Sequence, residues 1–136
     1  MYEKVKLLPI YLLVIITMGF AGVGKLIGNG VPEWFTGAFG ATFLAKVPGL
    51  TISYYSIALL ETACAALAVF SLCKQEFQPK SRKPWLKWSL FLTALSFVQL
   101  GFGQRLLADH NAAASLFFYF AGTIVMLGYV EAQERI

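Results

Sequence analysis

The chain has 136 residues, of which 58% are hydrophobic and 13% are charged, and its formal net charge at pH 7 is +4. Soluble globular domains carry about twice that share of charged residues, so the composition excludes a soluble enzyme and leaves no room for a separate soluble catalytic domain. It predicts one all-α domain over residues 1–136, an integral membrane four-helix bundle with a short interfacial helix between helices 1 and 2.

The first span is predicted over residues 7–27. Its apolar core is longer than the ~7 to 15 residues of a secretory signal, which indicates a retained transmembrane helix. Pro9 suits the opening turn, where a missing N–H costs no hydrogen bond. One stripe at helical spacing is predicted to pack closely against another helix; it consists of Leu13, Thr17, Ala21, Gly24 and Gly28.

Residues 28–49 are rich in glycine, proline and aromatic side chains. Pro32 favours the start of a short helix, which is predicted to be an interfacial helix or a re-entrant lid, because its Trp34 and Phe35 are typical of a membrane surface. The second span is predicted over residues 50–72, with Glu61 near its middle. This carboxylate belongs to a stripe typical of a buried helix face, formed by Tyr54, Ala58, Glu61, Ala65 and Ala68.

The third and fourth spans are predicted over residues 85–106 and 112–130. Both are expected to turn a polar or small face inward. These faces are Ser89, Thr93, Ser96, Gln99 and Gly103 in the third span, and Ser115, Tyr119, Gly122, Met126 and Tyr129 in the fourth.

The basic residues set the predicted topology. With four spans, both termini and the loop over residues 73–87 share one side, which carries eight of the eleven basic residues. Positive charge marks the cytoplasmic side, so both termini are expected in the cytoplasm of a bacterial inner membrane. Because the charge follows topology rather than forming a binding stripe, no nucleic-acid partner is predicted.

The remaining polar residues define a predicted outward-facing pocket. Lys25 and Glu61 are expected to differ in depth by about 12 Å, or eight residues at 1.5 Å each, so Gln99 is the expected neighbour of Glu61. Glu61 would form the floor, Gln99 the wall, and polar residues nearer the outer surface the mouth, namely Lys25, Gln104, Arg105, Asp109 and His110.

Three interpretations of Glu61 stay open. It is a structural carboxyl held by hydrogen bonds, or it lines a pocket for a small molecule such as a quinone, or it belongs to a proton or ion pathway. No second ligand stands at metal-binding spacing beside His110, so no metal is predicted. No catalytic set of residues is recognisable, so no residue is assigned a catalytic role.

The chain resembles the DoxX-like family of small four-helix membrane proteins. The resemblance lies in "FAGVGKLIG" at the end of the first span, which contains G-x-x-K-L, and in "VPGLTISYYSIALLETACAALAVFSL", which carries a glutamate midway. It matches the family's small residues and lysine to Gly22, Gly24 and Lys25, and its second-helix glutamate to Glu61. Some relatives are subunits of quinone-reducing or other membrane oxidoreductase assemblies.

The resemblance and the polar stripes together imply an accessory subunit of a membrane redox assembly with an outer-leaflet pocket for quinone or lipid. The expected partners are membrane lipids and other membrane or membrane-associated subunits. No intrinsic cofactor is predicted, and a non-covalently bound quinone is the candidate. The alternatives are a non-catalytic structural or assembly subunit of a membrane complex and a small transporter.

Overall fold

The computed structural model describes residues 2–28, 30, 32–40, 50–106 and 108–135. Four of its helices are long and apolar enough to cross a membrane, which confirms the predicted all-α four-helix membrane bundle. The short helix predicted between the first two spans is also present. In chain order the helices are α1 (Tyr2–Val5), α2 (Leu8–Ile27), α3 (Glu33–Phe39), α4 (Leu50–Cys73), α5 (Pro84–Leu106) and α6 (His110–Arg135).

Consecutive spans pack side by side, α2 on α4, α4 on α5 and α5 on α6. Between α2 and α6 lies a groove with a volume of about 630 Å³, whose walls also include residues of α5. The four spans therefore form a curved row with an open side, and the groove between the first and last spans is mostly apolar.

The core is concentrated at the end of the bundle that carries both termini. Tyr11 of α2 and Ser71 of α4 are fully buried there, and their hydroxyl oxygens lie 2.7 Å apart. Ser71 in turn donates to the buried Glu76 carboxylate at 2.7 Å. Around this chain of hydrogen bonds lies an apolar cluster that includes Leu7, Val14, Met18, Cys64, Ala68, Leu86, Leu90 and Val130.

The loop between α4 and α5 is fixed by two buried charges. The Glu76 carboxylate accepts from the Leu86 backbone N–H in the first turn of α5. Lys83 is 2% exposed, and its ammonium donates to three backbone carbonyl groups of the loop at 2.7 to 3.0 Å. Burial lowers the pKa of Lys83, against the opposing attraction of Glu134 and Glu76. Part of the predicted basic loop is therefore packed inside the protein.

The contact between α2 and α4 fixes their register. A Cβ on the buried Gly22 would lie 2.6 Å from the backbone nitrogen of Thr62, so only glycine permits this approach. One turn away, a Cβ on Gly19 would meet the Ala65 Cβ at 3.5 Å. Because Gly22 is level with Thr62, the first turns of α4 extend about 10 Å beyond the end of α2, or seven residues at 1.5 Å each.

The predicted packing stripe of α2 is wrong. Leu13, Thr17, Gly24 and Gly28 are exposed, and the buried face carries Tyr11, Val14, Met18 and Gly22 instead. The physical reason is that the close approach occurs at Gly22. Leu13 and Thr17 line the open groove, and a Cβ on Gly24 would meet nothing within 4 Å.

The predicted inward face of the fourth span is wrong at four of its five residues, and only Met126 packs against the core. Ser115, Tyr119, Gly122 and Tyr129 are exposed, whereas Thr123 and Val130 are buried. Because α6 lies at the edge of the row and packs mainly on α5, its buried face is narrow. Tyr119 and Gly122 face the groove toward α2. The predicted inward stripes of α4 and α5 are confirmed at Ala58, Glu61, Ser89, Thr93 and Ser96, all of which are buried.

Candidate functional site

Lys25 and Glu61 form a direct ion pair between α2 and α4. The Lys25 Nζ lies 2.7 Å from the Glu61 Oε1, and the side chains are 22% and 5% exposed. Lys25 also approaches the Ala21 carbonyl oxygen at 3.4 Å. The expectation that depth would keep these two charges apart is therefore wrong, and the carboxylate has the cationic partner that a membrane-buried charge requires.

Lys25 and Glu61 meet because of the register of α2 and α4. The sequence-based estimate assumed that α2 ends at the same level at which α4 begins. Since Gly22 is level with Thr62, the Cα atoms of Lys25 and Glu61 differ by only about 3 Å in depth, or two residues at 1.5 Å each. The long lysine side chain easily covers this distance.

Gln99 of α5 has a different partner from the one predicted. Its Nε2 donates to the Ser56 hydroxyl at 2.8 Å, and that hydroxyl donates to the Ser53 carbonyl oxygen at 2.8 Å. Gln99 therefore links α5 to α4 about 7.5 Å nearer the start of α4 than Glu61, or five residues at 1.5 Å each, and does not bind the carboxylate. Nothing in the sequence singled out Ser56, although Ser53 and Ser56 at i and i+3 mark a polar face in the first turns of α4.

A cavity with a volume of about 330 Å³ lies where α2 ends and α4 continues alone. It is bounded by α2, α3, α4 and α5, and it contains three of the predicted pocket residues, Lys25, Gln99 and Gln104. The other lining residues are mainly aromatic or hydroxyl-bearing, namely Trp34, Phe35, Phe39, Ser53, Tyr54, Ser56, Ile57, Leu100, Phe102 and Gly103. Gln99, the predicted wall, thus lines this cavity, whereas Glu61, the predicted floor, does not.

The aromatic wall comes from α3. Phe35 and Phe39 are buried, and the Phe35 ring centroid lies 5.3 Å from that of Tyr54 on α4. A Cβ on Gly103 of α5 would lie 3.3 Å from the Phe39 ring, so the absence of a side chain there allows α3 to approach α5. Trp34 remains 65% exposed at the edge of the cavity. Sequence reasoning recognised the short helix, and in the structure this helix covers the cavity.

Arg105, Asp109 and His110 do not belong to this cavity. The Arg105 Nη1 lies 2.8 Å from the His110 Nδ1, and both residues line a separate groove between α5 and α6. The Asp109 carboxylate accepts from the Ala112 N–H at 3.0 Å and so caps α6. The predicted mouth of the pocket is therefore divided between two separate places.

The cavity combines hydrogen-bond donors with aromatic walls. Its donors are the Lys25 ammonium and the side-chain amides of Gln99 and Gln104, and its walls are aromatic. The Glu61 carboxylate balances the lysine charge, which allows an uncharged ligand to occupy the cavity. In the described ranges of the chain, no group of three histidine, cysteine or acidic side chains could hold a metal ion.

Comparison of the chain with protein-family models, with curated proteins and with solved structures found no match.

Proposed function

We propose that this protein is a DoxX-like accessory subunit of a membrane redox assembly and that it binds a quinone in the cavity beneath α3. The observation that carries the proposal is the cavity itself, which combines aromatic walls with hydrogen-bond donors from Lys25, Gln99 and Gln104. Its volume of about 330 Å³ falls in the range of small-molecule sites, about 300 to 1,000 Å³.

The donors and walls match the chemistry of a quinone head group. A quinone is an uncharged planar ring with two carbonyl oxygens, which accept hydrogen bonds. The aromatic side chains of α3 offer faces and edges against which such a ring packs. Gln99 donates one amide hydrogen to the Ser56 hydroxyl, and its second amide hydrogen is available to a ligand. The quinone would supply the redox chemistry, and the protein would position it.

Glu61 serves this site indirectly. Its carboxylate lies 2.7 Å from the Lys25 ammonium and is almost completely buried. It therefore holds the lysine at the edge of the cavity and cancels the charge there. This role unites the structural and the pocket interpretations of Glu61.

A pathway through the bundle is less well supported. Between Glu61 and the buried polar residues at the terminal end, the interior contains Met18, Ala68 and Leu90 together with the hydroxyls of Ser89 and Thr93, which donate to backbone carbonyl oxygens of the bundle itself. A transporter would need charged or hydrated positions at this depth. The geometry therefore favours binding at one end over transport across the membrane.

A non-catalytic structural subunit is the second candidate. The observation in its favour is that, in the described residues, every buried side-chain nitrogen or oxygen has a hydrogen-bond partner. A bundle that only packs against other subunits would also satisfy its buried polar groups in this way. The two candidates differ in whether the cavity takes up a ligand.

The four spans make this an integral membrane protein. We further propose a bacterial inner membrane with both termini in the cytoplasm, which the concentration of basic residues at the terminal end of the bundle supports. In this orientation the cavity lies toward the outer leaflet.

The test uses Trp34 as a reporter, because it lies at the edge of the cavity. A variant with Trp85→Phe and Trp88→Phe keeps Trp34 as the chain's single tryptophan. Titration with a short-chain benzoquinone in detergent should quench its fluorescence in a saturable manner. In this background Gln99→Leu should weaken binding about tenfold, the size of one buried hydrogen bond.

Two controls separate binding from partition into the micelle. A variant with Trp34→Phe and Trp85→Phe keeps only Trp88 at the other end, and its quenching should stay linear. Gln133→Leu makes the same chemical change far from the cavity and should leave the affinity unchanged. Equal quenching of Trp34 and Trp88 would contradict the quinone site. Purification in native membranes without a redox partner or a quinone would contradict the accessory-subunit proposal.

A further inference from the structure

A second groove lies between α5 and α6, away from the quinone cavity. Its volume is about 460 Å³, and most of its wall is apolar. The apolar lining includes Phe97 and Gly101 of α5 and Ala113, Leu116, Phe117 and Phe120 of α6. At one end of this apolar wall stand two basic side chains, Arg105 and His110.

The positive charge of Arg105 is available to a ligand. Among the described residues no carboxylate forms an ion pair with it, since Asp109 caps α6 and Glu61 holds Lys25. Within the described part of the chain, its guanidinium contacts the His110 Nδ1 at 2.8 Å. A guanidinium only donates hydrogen bonds, so Nδ1 accepts and the imidazole proton lies on Nε2. Both exposed side chains therefore keep N–H donors for an anion.

The dimensions of the groove match one leaflet of a bilayer. Phe97 lies eight residues before Arg105 on α5, and Phe120 lies ten residues after His110 on α6. At 1.5 Å per residue these separations are about 12 and 15 Å, close to half of the ~30 Å hydrocarbon core. The charged end thus lies where a lipid head group would be, and the apolar wall follows the depth of one acyl chain.

We propose that this groove binds an anionic phospholipid, with its phosphate on Arg105 and His110 and one acyl chain between α5 and α6. Arginine and phosphate make charge-assisted, often bidentate hydrogen bonds. An uncharged quinone would leave the guanidinium unpaired, and a soluble anion would leave the apolar wall empty. The combination of the two features selects a molecule that is anionic at one end and hydrocarbon at the other.

The experiment uses phosphatidylglycerol that carries a photoreactive diazirine in one acyl chain. The full-length protein in nanodiscs is irradiated, digested and mapped by mass spectrometry. Label should appear in peptides that contain residues 97–101 and 113–120. Arg105→Gln should reduce this labelling about tenfold, the effect of losing one charge-assisted hydrogen bond. Ala114→Phe keeps the arginine but fills the groove, and it should displace the label as well.

Arg82→Gln removes the same charge from an exposed site at the opposite end of the bundle and should leave the labelling of these peptides unchanged. Circular dichroism and gel filtration establish that each variant is folded. Equal labelling by phosphatidylcholine would overturn the assignment of an anionic head group. Competition by glycerol phosphate at millimolar concentration would assign the site to a free phosphate instead. Unchanged labelling in Arg105→Gln, or label confined to other peptides, would also overturn the proposal.

Discussion

Replacing Lys25 with methionine should destabilise the protein more than replacing its partner Glu61. Lys25→Met leaves a carboxylate whose side chain is 5% exposed without its cation. Removing one partner of a buried pair costs about 3 to 5 kcal/mol. Glu61→Leu leaves the ammonium, which is 22% exposed and close to the end of α2. This long side chain can reach toward water, so the expected cost is smaller, about 1 to 2 kcal/mol.

The double variant Lys25→Met/Glu61→Leu should recover most of the loss. Replacing a buried ion pair with apolar residues is often close to neutral, so we expect it to lie within about 1 kcal/mol of the natural protein. The coupling energy from the double-mutant cycle would then be at least about 3 kcal/mol. Glu61→Gln should cost only about 1 kcal/mol, because its amide oxygen still accepts a hydrogen bond from Lys25.

The free energy of unfolding is measurable by titration with sodium dodecyl sulfate in mixed micelles, followed by circular dichroism. Lys87→Met provides the matched control, because Lys87 pairs with Glu134 at 2.8 Å and the carboxylate left behind is 20% exposed, against 5% for Glu61. A partly exposed pair contributes about 1 kcal/mol, so this change should have a smaller effect than Lys25→Met. If Lys25→Met and Glu61→Leu were each as mild as Lys87→Met, and their effects were additive, the buried pair would not stabilise the folded protein.

Three further predictions concern other parts of the bundle. Gly22→Ala should cost about 1 to 3 kcal/mol in the same unfolding assay, because its Cβ would press on the α4 backbone. Gly24→Ala places its Cβ in open space and should be neutral or slightly stabilising. Equal effects of the two substitutions would refute the proposed contact. Burial lowers the pKa of Lys83 in the folded protein below its ordinary 10.5. Between the pKa of the folded state and that of the unfolded state, the unfolded chain therefore binds more protons than the folded protein. The natural protein should therefore gain stability relative to Lys83→Met as pH rises through this window, and a falling difference would contradict the sign. The exposed Cys73 should react with an impermeant thiol reagent only after cells are permeabilised, and labelling in intact cells would reverse the proposed orientation.

The architecture could be predicted because it depends on local properties of the sequence. Long apolar runs specify the four spans, and Pro32 with the following aromatic residues specifies α3. The inward faces of α4 and α5 were also predictable, because both helices have neighbours on two sides and bury a broad stripe. The faces of α2 and α6 were not, because these helices border the open groove. A small or polar stripe on an edge helix can face that groove as readily as it can face a neighbouring helix.

The site was only partly predictable because it depends on register. Sequence spacing identified Lys25 and Glu61 but placed them too far apart, since the level at which α2 meets α4 is decided by the contact of Gly22 with Thr62. It also grouped Arg105 and His110 with Lys25 because all three lie near the same end. Their separation into two grooves follows from which pair of helices each side chain faces, and one sequence does not reveal this.

The ion pair also bears on the order in which the protein is made. Lys25 and Glu61 lie on the first two spans, and the contact between them requires no residue of α5 or α6. The charge that makes α4 costly to insert is therefore neutralised by a helix that has already left the ribosome. A nascent chain that ends after α4 already contains both charges and the glycine contact that aligns them. The first two spans can enter the bilayer as a charge-balanced hairpin, onto which α5 and α6 are then added.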